Sequence, residues 1–392
     1  MMNQKVFIDL GFSQRIKHGQ NICGDVFKYA KIDEEQRVVS VLSDGLGSGI
    51  KANIQASMAA TMALEFACEN MEMLRSAEII MQALPECQVR HISYATFTLV
   101  DTKVNGMTRI VEMGNPQFVL IRNNKVEQIP YEEYKSRKWE NRDMRFYDFQ
   151  LELNDRLIFF CDGITQAGIG STPHPMGWKH EACGEYILET VKAKPEISAH
   201  ELANKVINEA LKKEPNYLAA DDMTCAVFYF RQPRKMLLFT GPPFDRSMDI
   251  QCARSFAEFK GDKVIAGGTS SEIIARELGK KIEFDPSSIC HSMPPSSKMD
   301  GANLVCEGLI TLTKVAETLE SNTHKDRSTP AGKMIEIFLR NDIITFLVGT
   351  RINEALQDPR MTSELEFRRN IVQRIAKVLK ENFLKETNIQ YI

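Results

Sequence analysis

The chain has 392 residues, 43% of them hydrophobic and 26% charged, with a formal net charge of −3. That length suits two or three domains with sizeable cores, and the charge balance asks for neither nucleic acid nor an anionic membrane surface. Nine cysteines, an odd number with no Cys-x-x-Cys, argue against a zinc site or disulfide framework; no apolar run approaches a membrane span and the amino end lacks a leader pattern, so a soluble cytoplasmic protein is expected.

The first segment is rich in strand patterns: residues 6–10, 38–42, 94–100, 108–113, 118–122, 125–129, 146–151 and 156–160. Asn123-Asn124 between two of them suggests a tight hairpin turn. Residues 50–68 read as a helix, with Ile54, Met58, Met62 and Phe66 at helical spacing and alanines between them, an Ala/Met stripe of core packing. Further helices are expected over 77–84, 180–192 and 200–213, the last with Ser198 as N-cap. Residues 131–145 are charged and aromatic without a period, which reads as an exposed loop or flap. A strand over 224–230 closes the segment.

Arg231-Gln232-Pro233-Arg234 reads as a linker between a domain over 1–232 and another over 233–392. Beyond it, strands over 235–240, 263–266 and 342–348 alternate with helices over 248–259, 270–278, 307–319, 333–339 and 363–382, the α/β signature of a parallel sheet. Residues 285–297 and 321–330 read as loops. Arg368, Arg369, Arg374 and Lys377 give the last helix a basic, solvated face. Gly267, Gly268 and Thr269 join a strand to a helix, where glycines allow close approach and a helix N-terminus attracts anions. Gly349-Thr350 repeats the pattern. The alternative is a tight turn with Thr269 or Ser270 as an ordinary N-cap.

Four acidic sites carry the chemistry of the first domain: Gly24-Asp25, Ser43-Asp44-Gly45-Leu46-Gly47-Ser48-Gly49, Cys161-Asp162-Gly163-Ile164 and Asp221-Asp222-Met223-Thr224. Each lies at the end of a strand pattern. Hard divalent cations prefer carboxylate oxygens, and two such ions can lower the pKa of a water and neutralise a phosphate ester under attack. Neither Cys23 nor Cys161 has the arginine close behind it that a thiol nucleophile would want, so both read as small buried apolar groups. Glu112, on an alternating strand, is expected to face solvent. His91, His174 and His180 share no metal-ligand spacing.

In their order and spacing these motifs resemble the metal-dependent type 2C protein phosphatases, most of all the bacterial SpoIIE-type branch, over about residues 1–230. The resemblance implies an α+β fold, a four-layer α-β-β-α sandwich, followed here by a smaller α/β domain. It implies two Mn²⁺ or Mg²⁺ ions and a phosphoserine or phosphothreonine protein substrate hydrolysed by metal-activated water. Asp44 would bridge the metals, the Gly45 carbonyl would add a ligand, Asp25 would hold one ion, and Asp162 with Asp221 the other; Asp222 stays open as a metal ligand beside Asp221. Arg15 and Lys17 are candidates for gripping phosphate. Asn115, where related enzymes often carry histidine, is unable to act as a general acid. In SpoIIE-type enzymes the helix after the Asp44 turn acts as a switch, and the substrates are often phosphorylated anti-sigma-factor antagonists. Two other readings stay open: a catalytically silent phosphatase-like binding protein, and a nucleotide or small-anion sensor working through the second domain. A regulatory protein partner and a homodimer also stay open.

Overall fold

The structure, a computed structural model, describes residues 6–32, 34–83, 95–135, 143–289, 293–321, 328–351 and 362–392. It divides into two compact units, Met1–Gln232 and Pro233–Ile392. Among the described residues no helix is long and apolar enough to cross a membrane.

The first unit contains two antiparallel sheets. One has the order β1 (Phe7–Arg15), β11 (Met223–Arg231), β10 (Arg156–Phe160), β6 (Val119–Arg122), β7 (Lys125–Glu127). The other has the order β2 (Val26–Ile32), β3 (Arg37–Gly45), β4 (Ala95–Lys103), β5 (Met107–Met113), β9 (Asp143–Gln150), β8 (Glu132–Lys135). Alternation decides which side chains go where. Ile158, Phe160, Cys225, Val227 and Tyr229 pack against α4 (His180–Ala193) and α5 (Ala199–Lys213). Val39, Val41, Phe97, Leu99 and Val111 pack against α1 (Gly49–Cys68) and α2 (Met73–Ala83). The intervening residues fill the space between sheets, where Phe27 of one lies 4.7 Å from Phe12 and 6.1 Å from Phe159 of the other, ring centre to ring centre. The layers are therefore helix, sheet, sheet, helix.

Local expectations meet this frame unevenly. Asn123 and Asn124 both have positive φ, 50° and 57°, as a tight hairpin needs, and Glu201 N donates to the Ser198 cap at 3.2 Å. The face of α1 meets its expectation in part. Ala52, Ala56, Ala59, Ala60, Ala63 and Ala67 are buried, while Ile54 and Met58 are about half exposed, at 54% and 46%. Small residues let this helix lie close to the sheet backbone, while Met62 and Phe66, partly buried, pack against the same core. The expected loop over 131–145 holds β8 and the start of β9, paired antiparallel; its residues 136–142 lie outside the described residues. So do His91, residues 322–327 of the expected polar loop and residues 290–292.

The second unit is a seven-stranded sheet. Five strands run parallel in the order β16 (Leu304–Cys306), β13 (Asp262–Ala266), β12 (Lys235–Thr240), β17 (Ile343–Val348), β18 (Glu386–Tyr391). The short β14 (Glu283–Phe284) and β15 (Ser297–Lys298) extend it antiparallel. Leu237 and Phe239 of β12 meet α6 (Asp249–Glu258) and α7 (Gly268–Leu278). Met236 and Leu238 meet α8 (Leu309–Glu320), α9 (Pro330–Arg340) and α10 (Thr362–Phe383) on the opposite face. Burial on both faces explains the near-continuous apolar strands. Its first strand lies in the middle, the arrangement of a doubly wound sheet, whose ligands bind at the carboxyl ends of the strands.

Candidate metal centre

Strand register assembles the four aspartates in two pairs. Val26 pairs with Ser43, so Asp25 at the start of β2 comes beside Asp44 near the end of β3. Phe160 pairs with Cys225, so Asp162, opening the one-turn helix α3 (Asp162–Thr165), comes beside Asp221 before β11. Each pair stands on its own sheet, and the sandwich brings the pairs face to face. Asp44 feels the charges of Asp25, Asp162 and Asp221, and its carboxyl is within hydrogen-bonding reach of Asp162.

The electrostatics follow from that crowding. Burial, then the charges of Asp25 and Asp162, push the Asp44 carboxyl far above the usual carboxylate range. Burial also raises Asp25, against the opposing hydrogen bonds of Thr224 and Cys161. Thr224 Oγ1 donates to Asp25 Oδ2 at 2.6 Å, while Asp25 Oδ1 is buried with no hydrogen-bond partner. Burial raises the half-exposed Asp221 as well, with Lys17 pulling the other way; Lys17 Nζ lies 3.6 Å from Asp221 Oδ1.

The adjacent aspartates play different parts because successive side chains in an extended chain point oppositely. Asp222 is buried, and both its oxygens are taken: Lys17 N donates to Oδ1 and Gly24 N to Oδ2, each at 2.9 Å. It fastens the β1–β2 connection, whereas Asp221 turns toward the other carboxylates. Arg15, exposed at the end of β1 opposite Met223, is not drawn in by any of these contacts. Gly45 and Gly163 are close-approach positions. A Cβ on Gly45 would stand 2.1 Å from Ala52 O of α1, and one on Gly163 2.0 Å from Asp222 O.

Several supporting residues escaped the reading of the sequence. Thr224 holds Asp25; the alternation of β11 would have found it, since Cys225 and Val227 face the helices and Thr224 must face inward. Cys161 Sγ accepts from Thr224 N at 3.1 Å, Gln166 donates to Asp162 Oδ2 at 2.9 Å, and Asn53 of α1 donates to Cys23 O at 2.8 Å. Asn115 is buried and engaged by Thr98, Leu42 and Thr96. Glu112 corrects its expectation. It is fully buried, ion-paired with Arg145 at 3.1 Å and hydrogen-bonded by Tyr147 Oη and Phe118 N.

Among the described residues no group of three or more His, Cys, Asp or Glu side chains is set to hold an ion by itself. The donors nonetheless fit hydrated divalent ions. Mg²⁺ keeps several waters and takes one or two carboxylates, and here an orphaned buried carboxylate oxygen and mutually repelling carboxyls stand where countercharge is needed.

The four-layer sandwich, with its two antiparallel sheets between helices, is that of a PP2C-like phosphatase domain. Residues 34–231, half of the chain, match the model of the family described as Stage II sporulation protein E (SpoIIE), and the chain belongs to that family. No curated protein matches it. Among solved structures, the SpoIIE phosphatase domain from Bacillus subtilis is 16% identical over 58% of this chain and 94% of that one, with a TM-score of 0.44. The RsbU and RsbW domains of a Mycobacterium tuberculosis protein are 15% identical over 64% of this chain and 67% of that one, TM-score 0.48. A serine/threonine phosphatase from S. agalactiae is 13% identical over 57% of this chain and 99% of that one, TM-score 0.41.

Proposed function

We propose that the first unit is a protein phosphatase that hydrolyses phosphoserine or phosphothreonine with two Mn²⁺ or Mg²⁺ ions. The observation that carries this reading is the gathering of four aspartates from separate strand ends around a buried, unpartnered carboxylate oxygen. Asp44 would be shared between the ions, with the Gly45 carbonyl beside it; Asp25 would serve one ion, and Asp162 and Asp221 the other. Bound divalent ions supply countercharge, a water of lowered pKa and neutralisation of the phosphate. Asp222, with both oxygens occupied, acts as a fastener rather than a ligand. Lys17, which lies 3.6 Å from Asp221 Oδ1, rather than Arg15, would grip an incoming phosphate. With Asn115 fully engaged and non-ionising, the leaving hydroxyl takes its proton from solvent.

A second reading is favoured by the absence, among the described residues, of three carboxylates set to hold an ion unaided. In it the domain is silent until α1, which rests on Gly45 and ties to Cys23 through Asn53, is repositioned by a partner. Phosphate release from a phosphoserine peptide, with Mn²⁺ or chelator, tests both in the intact chain and in Asp44→Ala. Metal-dependent turnover lost in the variant is the expected result. Mn²⁺ binding without turnover selects the silent reading, and failure to bind Mn²⁺ at all removes both.

A further inference from the structure

We propose that the turn between β13 and α7 binds the phosphate group of a small molecule, through the amides of Gly268, Thr269 and Ser270 and the Ser270 hydroxyl. The turn begins with Gly267, whose φ of 132° suits only glycine. Gly267 N donates to Cys306 O, and the first bond inside α7 runs from Ser271 N to Gly267 O at 3.0 Å. The three intervening amides precede that bond, and among the described residues no side chain caps them. A Cβ on Gly268 would meet nothing within 4 Å, so the turn opens outward.

The second, independent observation is a buried hydroxyl. Ser270 is 1% exposed, and its Oγ has no hydrogen-bond partner. It lies 3.3 Å from the place a Cβ on Gly267 would take, so it faces the space beside the uncapped amides. Thr240, level with Ala266 on the neighbouring strand, carries another buried hydroxyl without a partner. Buried polar groups are nearly always satisfied, and those at functional sites are satisfied by what binds there.

The neighbouring helix defines the missing partner. Glu307 precedes α8 by two residues, and its carboxylate accepts from Leu309 N at 3.0 Å, Ile310 N at 2.9 Å and Thr311 N at 3.3 Å. The equivalent residue before α7 is Ala266, buried in its strand and without a polar side chain. The backbones of the two turns touch at Gly267 and Gly308. One helix therefore carries its own anion, and the other presents the same donors empty-handed. Four donors without an acceptor match the three terminal oxygens of a phosphate better than the two of a carboxylate. Both turns lie at the carboxyl edge of the parallel strands, where doubly wound sheets take their ligands.

The inference stands apart from the phosphatase reading, and its test is kept apart from it. Calorimetric titration would use the full chain carrying Asp44→Ala, in chelator, so that phosphate affinity at the first unit is not read. Probes are ADP and inorganic phosphate, against the parent, Ser270→Ala and Ser270→Asp. The expected result is saturable binding of ADP near one equivalent, weakened at least fivefold in Ser270→Ala. In Ser270→Asp binding is abolished, because a carboxylate now occupies the turn, while the melting temperature stays at or above the parent's. Competition by inorganic phosphate places the phosphate group in the turn; phosphate binding without any for ADP assigns the site to the free anion. Binding of neither, or equal affinity in the parent and Ser270→Ala, overturns the proposal; should Ser270→Asp fail to fold, Ser270→Ala alone decides.

Discussion

The two units carry opposite kinds of unmet demand. In the first, carboxylates crowd together and Asp25 Oδ1 lacks a donor; in the second, the amides and hydroxyl at the start of α7 lack an acceptor. Folding ordinarily pairs such groups, because a buried polar atom without a partner costs about 1–3 kcal/mol. The sign of what is unmet therefore states the charge of what should arrive: cations to the sandwich, an anion to the parallel sheet. Removing charge from the acidic centre should thus stabilise the ligand-free fold while destroying function. Asp44→Asn is expected to lower phosphoserine hydrolysis by a factor on the order of 1000. It should also raise the melting temperature in chelator and erase the stabilisation that Mn²⁺ gives the parent. Scanning calorimetry with and without Mn²⁺ reads both; a lower melting temperature in chelator would make Asp44 a structural anchor and end the contrast.

Glu112 sharpens the comparison from inside the first unit, since it is a buried carboxylate whose donors are present: Arg145, Tyr147 Oη and Phe118 N. Burial outweighs these partners and raises Glu112 from 4.5 to about 7. With the folded pKa above the unfolded one, the folded state holds the proton longer, so stability is greatest below pH 4.5 and falls as pH rises to about 7. The fall attributable to this group is on the order of 3 kcal/mol. Glu112→Gln should flatten that stretch of the stability–pH curve in denaturant titrations, whatever it does to absolute stability. An unchanged slope would mean that Arg145 keeps the group ionised throughout.

How much of this could be read from the chain follows from what each residue reports. Aspartates at strand ends in a fixed order reveal themselves, because their spacing is set by a scaffold whose strands are themselves legible. The different settings of Asp221 and Asp222 were not legible, because two amides from another loop, Lys17 N and Gly24 N, donate to Asp222. Glu112 looked solvent-facing because alternation implies one wet face, but on β5 the exposed residues are Met107 and Arg109, and Glu112 shares the opposite, buried face with Thr108 and Ile110. On α1 the alanines, Met62 and Phe66 pack as the pattern implies, whereas Ile54 and Met58 stay half exposed because closeness to the sheet favours the alanines. In the second unit the Gly-Gly-Thr turn was visible, whereas the empty Ser270 hydroxyl and the contrast with Glu307 exist only in three dimensions. Thr350, which repeats the pattern, has its amide and hydroxyl both bonded to Ile392 O at 2.8 Å, so it makes no second such turn.

The closeness of α1 gives the next prediction. Gly45→Ala would thrust a Cβ to 2.1 Å from Ala52 O, and backbone has to yield. A loss of about 1–3 kcal/mol is expected in urea melts, as for overpacked cores. Turnover should fall further than stability explains, because Asp44 is the adjacent residue. Equal stability would mean that α1 moves freely over the sheet, and the unmet carboxylates would then be a feature of one position of α1 only.

The smallest effect tests the comparison most directly, because it converts one kind of helix start into the other. Glu307→Ala removes the carboxylate from the first turn of α8 and leaves three amides as bare as those of α7. Loss of a capping side chain costs about 0.5–2 kcal/mol. If unmet donors alone make an anion site, millimolar phosphate should restore part of that loss, and the phosphate-induced rise in melting temperature should exceed the parent's. No response to phosphate would mean that unmet donors at a helix start do not make an anion site. Thr311 occupies in α8 the third helical position that Ser270 occupies in α7, and among the described residues its hydroxyl is likewise buried without a hydrogen-bond partner, so Glu307→Ala leaves α8 with both parts of the α7 turn. The double variant Glu307→Ala, Thr311→Val removes that hydroxyl. A phosphate response that appears in Glu307→Ala and is lost in the double variant would make the hydroxyl, rather than the helix terminus, the decisive part of the turn.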